Sequence, residues 1–251
     1  MKEQYPVMKG AEPFYFEGDK TGVLVVHGFT GSTQSVRSLG ESFNQAGFTV
    51  FGPRLRGHGT HYEDMERSTY IDWCETVEEG YHFLKETCDD IYIAGLSMGG
   101  TLSLHLADQY PQTKGIILIN AAINIPEMSP EEVPAVRFLD AIGSDIKKEN
   151  VEELAYEKTP VKSLGEIQQL MKETRQKLPQ IEVPARIFVS EVDHVVPPEN
   201  SSYIYDHLAS EDKRLISMEE SYHVATLDND KEKIALESIA FINGLTSSAT
   251  V

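Results

Sequence analysis

The chain of 251 residues is 40% hydrophobic and 25% charged, with 18 Gly and 12 Pro, a composition that excludes a disordered or collagen-like polypeptide and allows a deep core. Forty Asp and Glu against 22 Lys and Arg leave a formal net charge of −18. Such a surface repels phosphate backbones and anionic headgroups, which argues against a nucleic-acid partner and for a neutral or cationic substrate.

The first ten residues carry Lys2 and Lys9 but no apolar run of the kind a secretion signal uses, and no segment approaches about 18 uninterrupted apolar residues. Neither export nor stable membrane insertion is expected, and the protein reads as cytoplasmic. Apolar, β-rich runs follow at 22–27, 47–53, 90–96, 114–120, 184–190 and 212–218. Several are apolar at nearly every position, as strands of a parallel sheet covered on both faces must be.

Helical patterns alternate with them. Val36, Leu39, Phe43 and Ala46 form one stripe, closed by Gly47; further patterns cover 71–84, 99–110, 199–208 and 231–243. The alternation predicts an α/β fold built on a mostly parallel, doubly wound sheet with right-handed crossovers, in a single domain over 1–251. Cys74 and Cys88 fall on an apolar series with Ile71, Val77, Tyr81 and Leu84. On one continuous helix they stand about 21 Å apart, beyond disulfide reach, and read as buried thiols of a reducing compartment.

One interval breaks the rhythm. More than sixty residues separate Asn120 from Pro184, where a crossover needs about a dozen. The stretch holds apolar sets at Val133, Val136, Leu139 and Ile142, at Val151, Leu154 and Ala155, and from Leu164 to Leu178. It reads as a small helical cap inserted over 121–165, followed by a helix leading to the Pro184 strand; only the tail 246–251 looks disordered.

After the strand Ile91-Tyr92-Ile93-Ala94 comes Gly95-Leu96-Ser97-Met98-Gly99-Gly100 and then a helical pattern. This is G-x-S-x-G in the strand-turn-helix setting that gives the motif its meaning. Side chains two residues before and after the serine would clash in so tight a turn, hence Gly95 and Gly99. Ser97 is thereby presented beside a helix N-terminus, where developing negative charge is favoured.

A serine hydroxyl needs a base, and the base needs an acid behind it. Asp193, in Ser190-Glu191-Val192-Asp193-His194, follows one strand, and His223, in Ser221-Tyr222-His223, follows the next. Both loops leave carboxyl ends of strands, on the side where Ser97 is presented. Glu191 and His194 are neighbours and rivals of Asp193, while His82, His105 and His207 lie within predicted helices. For an oxyanion hole, the N–H of Met98 follows from the turn itself. A second donor is expected from His27-Gly28-Phe29-Thr30-Gly31, at Phe29, with its ring at the pocket floor. His58 and His61, near Glu63 and Asp64, sit among Gly57, Gly59 and Thr60 without a metal-site spacing, so no metal and no cofactor are expected.

Taken together, His27-Gly28-Phe29-Thr30-Gly31, Pro53-Arg54-Leu55-Arg56-Gly57-His58-Gly59, the Ser97 turn and the Asp193 and His223 loops resemble the α/β-hydrolase superfamily through nearly the whole chain. The stretches Leu139-Asp140-Ala141-Ile142-Gly143-Ser144-Asp145 and Glu153-Leu154-Ala155-Tyr156-Glu157-Lys158-Thr159-Pro160, with Asp193 to Pro198, are similar to bacillus-type monoacylglycerol lipases and their carboxylesterase relatives. The resemblance implies hydrolysis of a monoglyceride to glycerol and a fatty acid through an acyl-enzyme on Ser97. It also implies an acyl tunnel with Ile142 on its wall and Glu153 at the glycerol hydroxyls. The expected partner is a small lipid ester; whether exposed cap residues such as Ile125 and Met128 touch a membrane transiently, and the oligomeric state, are not written in the sequence. A broad short- to medium-chain carboxylesterase is the alternative enzyme, and a non-catalytic receptor on the same fold the alternative class.

Overall fold

Why this chain folds as it does is visible in its central strands, which divide their side chains between two apolar layers. A computed structural model describes residues 1–129 and 131–248. The chain runs β1 (Phe14–Phe16), β2 (Thr21–Val26), α1 (Gln34–Gln45), β3 (Thr49–Gly52), α2 (Tyr62–Arg67), α3 (Tyr70–Lys85), β4 (Asp90–Leu96), α4 (Met98–Gln109) and β5 (Gly115–Ile119). After these come β6 (Phe138–Asp140), β7 (Lys158–Pro160), α5 (Val161–Lys177), β8 (Ala185–Ser190), α6 (Glu199–His207), β9 (Lys213–Met218) and α7 (Lys231–Ser248).

Seven strands form one sheet in the order β1-β3-β2-β4-β5-β8-β9, parallel except for β1 at the edge. Leu24, Val26, Ile91, Ile93, Ile116, Leu118 and Ile187 point into one core with helices α3 to α6. Val23, Val25, Tyr92, Ala94, Leu96, Ile117, Ile119 and Phe188 point into the other, against α1 and α7. Burial on both faces accounts for strands that are apolar at nearly every position. A fully buried Leu or Ile contributes about 1.5–3 kcal/mol, so this double layer is the main source of stability.

Chain direction across the sheet reverses at β2, which has β3 on one side and β4 on the other. Loops leaving the carboxyl ends of β2 and β4 therefore diverge and open a crevice. Residues 27–31 and Ser97 lie at that crevice, and the loops after β8 and β9 leave the same end of the sheet.

The six predicted strands coincide with β2, β3, β4, β5, β8 and β9 to within a few residues. Short β1 and α2 carry too little periodicity to be seen in the sequence. The buried stripe of α3 consists of Trp73, Val77, Tyr81 and Leu84, while Ile71 is exposed, so the predicted series is off by up to two positions at its start. Cys88 is buried just beyond α3, whereas Cys74 is only half-buried; both are free thiols. Helix α7 continues to Ser248, so residues 246–248 of the expected disordered tail are helical, and residues 249–251 lie outside the described residues.

The larger correction concerns the insertion. Among its described residues, the part before α5 is not helical: it has a 3₁₀ turn at Pro126–Met128 and a two-stranded antiparallel pairing of β6 with β7. An apolar set spread over only ten residues, with Pro134 in its first turn and Gly143 at its end, is too short to sustain a helix without a packed face. Pairing Phe138, Leu139 and Asp140 with Pro160, Thr159 and Lys158 satisfies the backbone instead. Ile125, expected to be exposed, is 3% exposed and belongs to the core. Helix α5, the predicted lead into β8, is present.

Candidate active site

Backbone geometry at Ser97 follows from its neighbours. Its φ of 56° and ψ of −120° lie outside the regions most residues occupy, a conformation that costs on the order of 1–3 kcal/mol and persists where the surroundings enforce it. They do so here by close approach. A Cβ at Gly95 would stand 2.1 Å from the Gly99 carbonyl oxygen, and one at Gly99 2.2 Å from that of Val26. The Ser97 N–H donates to Ile119 O at 2.8 Å, and its own carbonyl accepts from Gly100 and Ala122. Met98 is the first residue of α4, so its N–H is among the donors a helix leaves unpaired at its N-terminus.

His223 faces Asp193. The imidazole Nδ1 lies 2.7 Å from Asp193 Oδ2, with side chains only 9% and 2% exposed. Asp193 Oδ1 accepts the N–H groups of Val195 and Val196, each at 2.8 Å, so both carboxylate oxygens are engaged. Burial alone pushes the His223 pKa down, but the charge and hydrogen bond of Asp193, helped by Glu153 and Asp145, outweigh it and raise the value above that of a free imidazole. The rivals are otherwise occupied: Glu191 accepts from the Ser217 hydroxyl, and His194 pairs with Asp145.

A cavity of about 390 Å³ brings Ser97 and His223 together with Phe29, Ile125, Met128, Ile167 and Val195 on apolar walls and Ser144 and Glu153 among the polar lining. Gly28 brings its loop against the nucleophile candidate, since a Cβ there would touch Ser97 Cβ at 3.3 Å. The Phe29 ring packs edge-on to Trp73 and His58. Beneath this loop His27 is buried, its pKa pushed down to about 4 by burial, and it donates from Nδ1 to Gly28 O while Nε2 accepts the Leu55 N–H. A neutral imidazole with both nitrogens engaged acts as a brace for the 27–31 loop.

The family model described as serine aminopeptidase, S33, matches residues 18–230. This chain belongs to that family of hydrolases. A thermostable monoacylglycerol lipase of Bacillus sp. (strain H-257) is 53% identical over 246 residues, covering 96% of this chain and 98% of that protein. A carboxylesterase of Bacillus subtilis (strain 168) is 35% identical over 243 residues, covering 93% and 97%. Among solved structures, one described with the metagenome-derived lipolytic enzymes LipS and LipT superposes with a TM-score of 0.92 at 46% identity, covering 95% of this chain and all of that one. With the sheet order above, this makes the chain an α/β-hydrolase.

In this family member the predicted substrate residues fall in different settings. Ile142 lines the cavity yet is 69% exposed, which puts it at the rim. Glu153 lines it too, on irregular backbone. Burial pushes its carboxyl pKa up, against the pull of nearby His223 and a hydrogen bond with Ser35. His58 packs beside His27 and Trp73, and His61 stacks between Tyr5 and Tyr62.

Three residues that hold the site together have no motif. Asn120, at a φ of 45° after β5, donates from Nδ2 to His223 O at 2.8 Å and Ser190 Oγ at 3.0 Å, and accepts the Ser190 N–H at 2.8 Å. It thereby joins the ends of β5 and β8 to the histidine loop. Tyr156 joins the insertion to the crevice: its N–H donates to Thr30 O and its hydroxyl to Gly57 O. Asp145 is the third. A polar residue directly after a buried strand is a weak signal for Asn120; Tyr156 and Asp145 lie in the two stretches that carry the resemblance, which gives neither of them a role.

Proposed function

We propose that the protein hydrolyses monoacylglycerols to glycerol and a free fatty acid, with Ser97 as nucleophile, His223 as general base and acid, and Asp193 as the acid that orients it. The observation that carries this reading is the single cavity in which Ser97 and His223 meet apolar walls and the buried carboxyl of Glu153. Ser97 Oγ attacks the ester carbonyl while His223 takes its proton. The tetrahedral oxyanion is held by the N–H groups of Met98 and Phe29, each contributing on the order of 3 kcal/mol. Collapse breaks the C–O bond to glycerol, which leaves with the proton from His223. Water, deprotonated by His223, then attacks the acyl-enzyme; the bond to Ser97 Oγ breaks, His223 returns the proton to that oxygen, and the fatty acid is released.

The acyl chain lies along Phe29, Ile125, Met128 and Ile167, where each buried CH₂ contributes about 0.8 kcal/mol. Glu153 receives the glycerol hydroxyls and Ile142 bounds the cavity at its rim. A neutral substrate is not opposed by the net charge of −18, and an anionic product is expelled by it. Similarity to a named monoacylglycerol lipase and a named carboxylesterase supports an ester substrate of this kind. The two free cysteines fit a cytoplasmic setting. Among the described residues no helix is long and apolar enough to cross a membrane.

Two measurements test this. The first is kcat/KM for 1-monoacylglycerols from about C8 to C18 beside matched p-nitrophenyl esters, an aminoacyl anilide and one triglyceride. Medium- and long-chain monoglycerides are expected to turn over well and the triglyceride poorly. Activity confined to short p-nitrophenyl esters makes the protein a broad carboxylesterase and removes the role of Glu153. The second is the pH–rate profile: because the His223 pKa is raised, the acid limb of kcat/KM is expected above about 6.5, the ordinary imidazole value. A limb well below that value contradicts the assignment of His223.

A further inference from the structure

Asp145 lies on the inserted segment, in backbone that is neither helix nor strand, and its side chain is 9% exposed. Oδ2 accepts the backbone N–H of His194 at 3.1 Å and that of His223 at 3.1 Å; Oδ1 meets His194 Nδ1 at 2.7 Å. Its carbonyl accepts the Val224 N–H at 3.1 Å. His194 follows Asp193 in the chain and Val224 follows His223, so one residue of the insertion holds both loops that carry the acid and the base. The attachment continues beside it, where the buried carboxylate of Asp228 accepts the N–H groups of Lys147, Lys148 and Tyr222.

Apolar packing anchors the insertion at Ile125, Tyr156 and Ile146, while Val136 and Ile142 are exposed. The polar stitches at Asp145 tie it to the two loops in particular. Backbone N–H groups at a buried loop need acceptors, and Asp145 supplies one to each loop from a third segment.

We infer that Asp145 is a positioning residue, fixing the Asp193 and His223 loops relative to each other so that the insertion is a working part of the acid–base pair as well as a cover. The inference rests on the assignment of Ser97, Asp193 and His223 made above. Charged groups bearing on the His223 imidazole are Asp193 from its own loop after β8, and Glu153 and Asp145 from the insertion.

The test is steady-state kinetics of the full chain with p-nitrophenyl butyrate from about pH 5 to 9, for wild type, Asp145→Ala, Asp145→Asn and Ser97→Ala, with melting curves for each. Asp145→Ala removes the acceptor from both loops, and kcat is expected to fall by on the order of 10²-fold, the cost of a misplacement of about 1 Å, with KM changed by less than about threefold. Asp145→Asn keeps a carbonyl oxygen for the two N–H groups and removes the charge. It is expected to recover kcat to within about tenfold of wild type while its acid limb moves to lower pH, because an imidazole that loses a nearby anion is harder to protonate. A merely structural residue moves the melting curve and leaves the limb in place.

The inference is overturned if Asp145→Ala keeps kcat within about twofold of wild type, if its loss appears only in KM, or if the Asn variant leaves the limb where it was. Should Asp145→Ala fail to fold, the limb of Asp145→Asn decides alone. Wild-type turnover no higher than that of Ser97→Ala overturns the assignment of the reacting residues, and this inference with it, whereas an active wild type with an unmoved limb overturns only the inference.

Discussion

Replacing Ser97 by Ala is expected to reduce kcat on monoacylglycerols by roughly 10⁶, the loss seen when a member of a triad that acts as a unit is removed. The side chain deleted is the one proposed to form the acyl-enzyme, and no other hydroxyl takes its place at the turn. Thr101, one turn along α4, is fully buried, its hydroxyl bonded to Ala122 O. Ala carries the same Cβ as Ser, so the strained turn and the packing around it are retained and the melting temperature should stay close to that of wild type. Residual catalysis of about 10³–10⁴ over water is expected from the oxyanion donors and binding alone. Initial rates on a medium-chain monoglyceride, with a fluorophosphonate label to count active sites, measure the effect. Turnover within about 100-fold of wild type, or labelling that survives the substitution, rules out Ser97 as the nucleophile.

Asp193→Asn is expected to cost about 10⁴ in kcat while leaving the fold intact. The reason lies in the two N–H groups that point at Oδ1. Val195 and Val196 both donate there at 2.8 Å, so an amide at this position must turn its oxygen toward them. Its NH₂ then occupies the place of Oδ2 and donates to His223 Nδ1, 2.7 Å away in the native arrangement. The imidazole is forced to carry its proton on Nε2, the tautomer that cannot accept one from Ser97. Loss of the Asp193 charge also removes the largest influence raising the His223 pKa, so the remaining activity should show an acid limb shifted to lower pH. A pH–rate profile of the variant, set beside a melting curve, measures both effects. Activity within about tenfold of wild type assigns the acid elsewhere, and Glu191, bonded to Ser217, would have to be tested next.

Both arguments depend on residues that were legible before any coordinates. Gly95, Ser97 and Gly99 impose their turn through contacts within a few residues and with one adjoining strand, so the motif and its surroundings suffice. Asp193 and His223 stand out as candidates because loops after parallel strands emerge at one end of the sheet, and the folded chain brings the two side chains to 2.7 Å. The non-helical insertion was not legible: its apolar spacing satisfied a helical period, while pairing between residues 138–140 and 158–160 decided the outcome. Ile125, expected to be exposed, is buried among core side chains from segments remote in sequence, and a single chain segment carries no record of such cover.

What the sequence by itself determined was the six parallel strands, the doubly wound class, the tight turn at Ser97 and the two loops that face it. Each of these follows from local periodicity, from glycine sterics or from the rule that fixes the exit of parallel strands. The tertiary structure decided how those pieces are held: Asn120 reaching across to Ser190 and His223, Tyr156 joining the insertion to the crevice, and Asp145 meeting a backbone N–H 78 residues away. Hydrogen bonds of that kind depend on distance and direction between segments remote in sequence. An Asp that caps a distant loop has the same spacing and composition around it as one that faces solvent, and only the folded chain separates the two.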